Sequence, residues 1–164
     1  MPSNYEVRLE QPVLDYLRGV ADERNRRDRQ RAYRHRPGVY GDNPMRQGTM
    51  GEYVYCAWAG IDFCKHEFDA RLPSEDDDIN GVQIRATTHA TGRLLTHDYD
   101  KPAPYVLVTL NKVNNDCIIG TLRGWQWLHE CNTANRWDDT LPYPAYATPQ
   151  SVLHPMHTLE IIYN

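Results

Sequence analysis

The chain lacks any segment that would carry it into or across a membrane. No apolar run approaches the roughly 18 residues that a membrane-spanning helix requires, and the hydrophobic fraction of 40% is low for a globular protein. The first residues, Met1-Pro2-Ser3, show no signal-peptide pattern. The sequence therefore predicts a soluble protein that is not exported and has no membrane partner.

Cysteine is scarce and scattered, with four residues and no CxxC pair. Exported domains held by disulfides, and most zinc modules, use closely spaced cysteines, so the sequence favours neither class. We expect reduced thiols in an intracellular, cytoplasmic protein, most of them buried as small hydrophobic side chains. The four positions are Cys56, Cys64, Cys117 and Cys131.

The motifs of several enzyme classes are also missing. There is no GxxxxGK loop, no GxGxxG and no GxSxG, so nucleotide cofactors and triad hydrolysis have no support. Three short stretches place His beside Cys or a second His, but their spacing differs from the usual zinc patterns, and we interpret them as structural. They are Cys64-Lys65-His66, His129-Glu130-Cys131 and His154-Pro155-Met156-His157.

The net charge of −4 gives no general basic signal for nucleic acid. Residues 18–46, in contrast, hold nine arginines against four acidic residues. Arginines on several faces of a helix suit a nucleic-acid backbone, because its phosphates bind positive charge whatever the base sequence. The alternative is a solvated helix with i,i+4 ion pairs such as Arg24–Asp28. The predicted nucleic-acid contacts are Arg24, Arg26, Arg27, Arg29, Arg31 and Arg34.

At 164 residues the chain fits one domain with a substantial core. We predict an α/β (α+β) fold in which helices flank a central mixed β-sheet. An arginine-rich N-terminal helix and loop would occupy residues 1–47, and a core domain residues 48–164. The predicted helices span 8–34, 50–64 and 124–129, with a helical turn at 150–153. The predicted strands are 66–72, 94–95, 104–110, 117–120 and 158–163.

The two longer helices are predicted from apolar stripes and a capping pattern. Residues 37–49 between them are predicted as a loop, because they are rich in Gly, Pro and Asn. Thr49 is the predicted N-cap of the second helix, and Glu52 completes a capping box with it. The predicted core positions are Val13, Leu14, Leu17 and Val20 in the first helix and Tyr53, Val54, Ala57, Trp58 and Ile61 in the second.

The strongest local pattern is an Asn80-Gly81 pair between acidic residues and an alternating strand. This pattern is typical of a two-residue β-hairpin turn. The predicted cross-strand pairs are Ile79 with Val82, Asp78 with Gln83 and Asp76 with Arg85. Opposed residues share a face and lie about 4.5–5.5 Å apart at Cβ, so the polar members would converge. The apolar side chains of Val82, Ile84 and Ala86 would then pack against a core.

A carboxylate, an amide and a guanidinium on one face suit a divalent cation and a phosphate. Hard cations prefer oxygen ligands, and arginine pairs with phosphate oxygens. The alternative is a solvated hairpin whose Asp and Arg pair across the strands, which contributes a fraction of a kcal/mol. A slip of one residue exchanges the faces, so Asp76 or Asp77 in place of Asp78 stays open.

Together, these residues resemble a nuclease motif. Gly51-Glu52 on a helix, then Asp78, then Gln83-Ile84-Arg85 on a strand resembles the PD-(D/E)xK (restriction-endonuclease-like) superfamily, and so does the order of helix, strands, helix and strand. Over about residues 48–154 the chain also resembles small proteins of phage genomes. These proteins share its Gly-Glu helix start, its strand at 80–85, a Tyr-Val-Leu-Val strand and a Gly-Trp pair. They also share a final Val/Thr-Pro-Gln-x-x-Leu motif that resembles residues 148–153.

The resemblance implies a restriction-endonuclease-like core and a Mg²⁺- or Mn²⁺-dependent DNA nuclease in the cytoplasm of a phage-infected host or in the virion. Glu52, Asp78 and Gln83 would hold the metal, and Arg85 would stand where the motif has Lys. Such a metal polarises the phosphate and activates water, and the nearby cation stabilises the developing charge.

Two positions depart from the motif. Gln83 offers one neutral oxygen where the motif has a carboxylate, and Arg85 stays charged and cannot accept a proton. The alternative function is therefore a catalytically inactive nuclease-fold module that binds nucleic acid or a host protein. A structural protein of the virion and a homodimer also stay open.

Overall fold

A computed structural model describes residues 5–31, 42–65 and 79–163, and their side chains except at 28–31, 42–43 and 160–163. Its helices are α1 (Val13–Arg31), α2 (Asp42–Ala59), α3 (Leu128–Cys131) and α4 (Met156–Tyr163). Its strands are β1 (Tyr5–Glu10), β2 (Gln83–Thr87), β3 (Leu94–Thr96), β4 (Pro104–Asn114), β5 (Cys117–Trp127), β6 (Trp137–Asp138) and β7 (Ala145–Thr148). Short 3₁₀ turns occupy Ala134–Arg136 and Gln150–Val152. The predicted α+β class is confirmed.

The main sheet has four strands in the order β1-β5-β4-β2. Its centre is the long antiparallel hairpin of β4 and β5, and β1 pairs antiparallel with β5 at one edge. The strand β2 forms the other edge and runs parallel to β4. The sheet is therefore mixed, as predicted. A second sheet has three antiparallel strands in the order β3-β7-β6.

Helices α1, α2 and α4 share a core with one face of the main sheet, which we call the helix face. Its core includes the fully buried residues Leu14, Val54 and Val106. Glycine permits the close approach of α2: a Cβ at Gly120 of β5 would lie 2.3 Å from a methyl group of Val54. Since the core also takes in Leu9 of β1, this strand and helix α1 share one core with the sheet.

The opposite face of the main sheet carries a smaller core. Tyr105 and Leu107 of β4 pack there with Leu94 of β3 and with Leu128 and Cys131 of α3. The three-stranded sheet therefore covers this face at the end where β4 begins. Within the described ranges, no helix is both long and apolar enough to cross a bilayer.

Several predicted elements were wrong in the N-terminal third. Residues 5–10 form strand β1, so the first helix begins at Val13 and not at residue 8. The predicted loop at 37–49 is helical from Asp42 onwards, and Thr49 lies inside α2. Its hydroxyl donates to the carbonyl of Met45, 2.8 Å away, so Thr49 is not an N-cap.

Two elements were also wrong towards the C-terminus. Residues 124–127 continue strand β5, so helix α3 starts only at Leu128, and the predicted last strand is helix α4. The strands at 94–95, 104–110 and 117–120 and the turn at 150–153 are confirmed, although β4 and β5 are longer than predicted. The predicted strand at 66–72 lies outside the described residues.

The predicted stripe of the first helix is confirmed, because Leu14, Leu17 and Val20 are buried. In the second helix Val54 is buried, whereas Ala57 is exposed. All four cysteines are free thiols, and Cys64 alone among them is exposed.

Candidate functional site

The predicted Asn80-Gly81 turn is present. Both residues have positive φ, 53° at Asn80 and 81° at Gly81, as a type I′ turn requires. Ile79 and Val82 exchange two backbone hydrogen bonds of 3.0 Å each, which fixes the predicted register at the turn. Residues 66–78 lie outside the described residues, so the pairing of Asp76 and Asp78 with β2 stays a prediction, as does the choice of Asp77.

Strand β2 presents alternate side chains to the two faces of the main sheet. Ile84 and Ala86 pack with the core of the helix face, and a Cβ at Gly51 of α2 would lie 3.0 Å from that of Ala86. Gln83 and Arg85 therefore point to the opposite face, beside the side chains of β4 that pair with them. The sequence predicted this division of β2 correctly.

The guanidinium of Arg85 is held in place from two sides. Its Nη2 donates to Oδ1 of Asp100 at 3.2 Å, and its central carbon lies 5.0 Å from the ring centre of Tyr105. Asp100 is almost completely buried, with 1% of its side chain exposed, and it also accepts the backbone N–H of His97 at 2.8 Å. Since 25% of the Arg85 side chain is exposed, a fixed cation reaches the surface.

A second arginine lies on the same face. In the β4–β5 pairing, Leu107 lies opposite Gly124 and Val108 opposite Leu122, so Arg123 occupies an irregularity between these two pairs. Its Nε donates to the hydroxyl of Thr109 at 2.8 Å. Thr109 is aligned with Thr87 of β2, so it shares the face of Arg85. With two strand spacings between them, the Cα atoms of the two arginines lie on the order of 10 Å apart. We call Gln83, Arg85, Thr109 and Arg123 the arginine face.

Both arginines keep donors for a ligand. Within the described part of the chain, the structure records no acceptor for Nε and Nη1 of Arg85 or for the two Nη atoms of Arg123. A guanidinium has five N–H donors in a planar fork, which suits the oxygens of a phosphate. The arginine face can therefore bind an anion without giving up the contacts that orient its side chains.

Glu52 belongs to α2, which packs on the helix face of the sheet. Its carboxylate binds Nη1 of Arg24 at 2.5 Å, so helices α1 and α2 are joined by an ion pair with 16% and 18% of its side chains exposed. The residue before Glu52, Gly51, packs on Ile84 and Ala86 on the helix face of β2, whereas Gln83 and Arg85 lie on the opposite face. Among residues 5–27, 44–65 and 79–159, no three His, Cys, Asp or Glu side chains gather as a metal site.

The arginine-rich segment makes ion pairs within the helical layer. Arg26 donates to Glu23 through two hydrogen bonds of 2.6 and 3.0 Å. Arg46 of α2 pairs with Asp22 of α1 at 3.2 Å. Arg24 pairs with Glu52. Its predicted pairing with Asp28 stays a prediction, because the side chain of Asp28 lies outside the described part. The same holds for the side chains of Arg29, Arg31 and Arg34.

Sequence reasoning missed Asp100 and Arg123. Asp100 lies between the predicted strands at 94–95 and 104–110, and Arg123 directly precedes the predicted helix at 124–129. The alternation of Thr121, Leu122 and Arg123 is a strand signal that continues the predicted strand at 117–120. A strand continued through Arg123 places this residue beside β4.

A separate polar pair joins α3 to the segment before α4. Nε2 of His154 lies 3.0 Å from both carboxylate oxygens of Glu130. Burial raises the pKa of Glu130, but the hydrogen bonds from His154 and from the backbone of Trp127 outweigh it, so the pKa is below its usual value. His154 also exchanges two backbone hydrogen bonds with Trp125. This pair ties the C-terminal segment to β5, which supports the structural interpretation of both histidine stretches.

Comparisons of the chain with protein-family models, with curated proteins and with solved structures find no match.

Proposed function

We propose that this protein binds nucleic acid and that the arginine face contacts its phosphates. The observation that carries the proposal is the Arg85 guanidinium, which is oriented by buried Asp100 and by Tyr105 while a quarter of the Arg85 side chain stays exposed. An arginine that is already fixed loses little side-chain entropy on binding, so each hydrogen bond to a phosphate contributes more to affinity. Arg123 supplies a second fixed cation on the same face.

The contacts of Glu52 favour binding without catalysis as the first candidate. A divalent cation at Glu52 would have to compete with Arg24, which already neutralises that carboxylate in a mostly buried setting. Without Glu52, the proposed metal set keeps one carboxylate, Asp78, and the neutral amide of Gln83. Phosphate binding by arginine needs none of these ligands.

The test is an anisotropy titration of fluorescent oligonucleotides at several salt concentrations. Arg85→Gln and Arg123→Gln should each weaken binding and reduce the slope of log K against log salt by about 0.7 for a single strand, because each removes one phosphate contact. Arg85→Lys keeps a positive charge beside buried Asp100 and is the control for misfolding caused by an unpaired Asp100. Lys112→Gln removes an equal charge at an exposed position near the β4–β5 turn and is the matched control. Equal slopes in all four variants would contradict the proposal.

The arginines of α1 are a separate proposed contact. They belong to the layer that packs on the helix face, so a nucleic acid on the arginine face does not touch them without passing around the sheet. We expect the combined neutralisation of Arg24, Arg26, Arg27, Arg29 and Arg31 to lower the salt slope further if this helix also binds. An unchanged slope would leave the arginine face as the whole contact.

The second candidate function is metal-dependent cleavage of DNA. It is favoured by one specific observation: Gln83 and Arg85 share a face on the strand that follows a type I′ turn, with the acidic residues 76–78 directly before it. Cleavage would be assayed on single- and double-stranded DNA with Mg²⁺ or Mn²⁺. Activity should be lost in Asp78→Ala. Cleavage that survives this change would rule out Asp78 as the metal ligand.

A further inference from the structure

We propose that two copies of this chain associate through strand β1, which pairs antiparallel with β1 of the second copy. The sequence left a homodimer open, and the edge of the main sheet supplies a surface for it. The inference goes beyond the proposed function and does not depend on it, because no residue of β1 belongs to the arginine face.

Strand β1 is an open edge of the main sheet. It pairs with β5 on one side, and within the described residues no strand pairs with its other side. Four of its six residues are exposed, so a second chain can reach it. The outer side of an edge strand carries unpaired N–H and C=O groups, which can form hydrogen bonds with a strand of another chain. The partner that fits this edge is therefore an extended strand.

The side chains of β1 divide between an apolar and a charged face. Val7 and Leu9 pack with the core of the helix face, and the ring centre of Tyr5 lies 5.8 Å from that of Trp58. Because side chains alternate along a strand, the residues between them point to the opposite face. These residues are exposed and carry negative, positive and negative charge in turn: Glu6, Arg8 and Glu10.

This order of charges is complementary to itself in one antiparallel register. If Val7 lies opposite the partner's Val7, Glu6 lies opposite the partner's Arg8, and a two-fold axis repeats the pair. Opposed residues share a face, and opposite charges there attract. The pairing takes in residues 5–9 and creates two ion pairs between the chains. It also joins the two main sheets into one, with the arginine faces of both copies on the same side.

The neighbouring registers are less favourable. With Arg8 opposite the partner's Arg8, two like charges are opposed, and Glu6 also meets the partner's Glu10. With Leu9 opposite the partner's Leu9, Arg8 meets Glu10, but the ladder shortens to residues 8–10. A shift by one residue places charged side chains opposite apolar ones. Charges usually protect an edge strand from pairing, whereas on β1 they favour the register centred on Val7.

The other edge of the main sheet does not offer this match. All five residues of β2 are partly buried, and the predicted pairing of residues 76–78 with β2 would occupy its outer side. Antiparallel pairing centred on Arg85 would also place two arginines opposite each other. Strand β1 is therefore the edge that fits a second copy.

Sedimentation velocity over a wide range of protein concentration tests the dimer. The mass should rise from 19.1 kDa towards twice this value. Glu6→Arg and Arg8→Glu should each raise the dissociation constant of the dimer by about 10- to 100-fold, because two attractive pairs become two repulsive ones. Lys112→Glu reverses an exposed charge near the β4–β5 turn. It is the matched control and should leave the dimer unchanged.

Mixing the two single variants gives the sharper test. Glu6→Arg leaves positive charge at positions 6 and 8, and Arg8→Glu leaves negative charge at both, so a mixed dimer regains both ion pairs. The equimolar mixture should therefore associate about as tightly as the unchanged chain, although neither variant does so alone. Both positions are exposed, and circular dichroism should show the fold intact in each variant.

Three results would overturn the inference: a mass of 19.1 kDa at every concentration, a dimer that both reversals leave unchanged, or a mixture that does not associate. The second result would mean that another surface joins the copies. Arg85→Gln should leave the dimer intact, so the result does not depend on whether the arginine face binds nucleic acid.

Discussion

Helix α2 packs closely on strand β5 where Val54 meets Gly120, and a double-mutant cycle can test this contact. A Cβ at Gly120 would lie 2.3 Å from one Val54 methyl and 3.4 Å from the other, far inside van der Waals contact. Val54 is fully buried and belongs to α2, the helix that also carries Glu52. This packing holds α2 on the helix face of the sheet.

The expected magnitudes follow from the geometry. Gly120→Ala overpacks the site and should cost about 1–2 kcal/mol of unfolding free energy. Val54→Ala removes two buried methyl groups and should cost about 2 kcal/mol. In the double variant the new methyl fills space vacated by valine, so its cost should be about 1–2 kcal/mol where additivity predicts about 3–4. The coupling free energy is then about 2 kcal/mol.

Urea unfolding followed by circular dichroism measures these values. With an m-value of about 2 kcal/mol per molar, the coupling corresponds to roughly 1 M in the unfolding midpoint. Gly48→Ala is the control: Gly48 lies in α2 with open space around it, so alanine there should stabilise by about 1 kcal/mol and add independently to Val54→Ala. Additive effects of Gly120→Ala and Val54→Ala would refute the packing of α2 on β5.

Three further predictions concern stability and reactivity. Glu130→Gln should lower the free energy of unfolding at neutral pH but not in acid, and urea midpoints across pH 3–7 measure this. The pKa of Glu130 is lower in the folded protein than the value of about 4.3 in the unfolded chain, so the ionised carboxylate stabilises the fold above pH 4.3, and this stabilisation is lost as the pH falls through the folded pKa. A chromogenic disulfide reagent at pH 8 should label exposed Cys64 first and Cys56 only on unfolding, because burial, and then the charge of Glu52, raises the pKa of Cys56 to about 12. Gly124→Ala should cost about 2 kcal/mol or more in urea unfolding, since φ is 139° and a Cβ would lie 2.7 Å from the carbonyl oxygen of His154.

The features that sequence predicted well are those set by neighbouring residues. Asn80-Gly81 forms its turn because both positions need positive φ, which Asn and Gly adopt most readily. The continuous apolar run at 104–110 predicted a buried strand, and all seven residues are buried. The division of β2 into a core side and a polar side followed from period-two alternation alone.

Tertiary packing overrode local preference where the predictions were wrong. Residues 158–163 contain β-branched and aromatic side chains that favour a strand, but Met156 and Leu159 of α4 pack into the core at helical spacing. At the N-terminus, Val7 and Leu9 alternate with charged residues, which is a strand pattern. The predicted helix at 8–34 overlapped this pattern. Pairing with β5 turns that alternation into an edge strand.

The candidate site was only half predictable, because its supporting residues come from distant parts of the chain. Arg85 could be placed on the polar side of β2, but no period or motif links it to Asp100 in a loop or to Arg123 at a strand irregularity. Similarly, the ion pair between Glu52 and Arg24 depends on how α1 packs against α2. The spacing of side chains within either helix does not determine this packing.

Glu52 pairs with Arg24 and Arg85 pairs with Asp100, so the two candidate functions have different mutational consequences. Glu52→Gln breaks a mostly buried ion pair and should cost about 2 kcal/mol of unfolding free energy, yet it should leave nucleic-acid affinity unchanged. Alternation at the turn predicts that Asp78 lies beside Gln83, so Asp78→Ala should change only steps that need a metal on that face. Calorimetric titration with Mn²⁺ checks both variants. Loss of Mn²⁺ binding in Glu52→Gln, with the fold intact by circular dichroism, would show that Glu52 reaches the metal and would favour the nuclease.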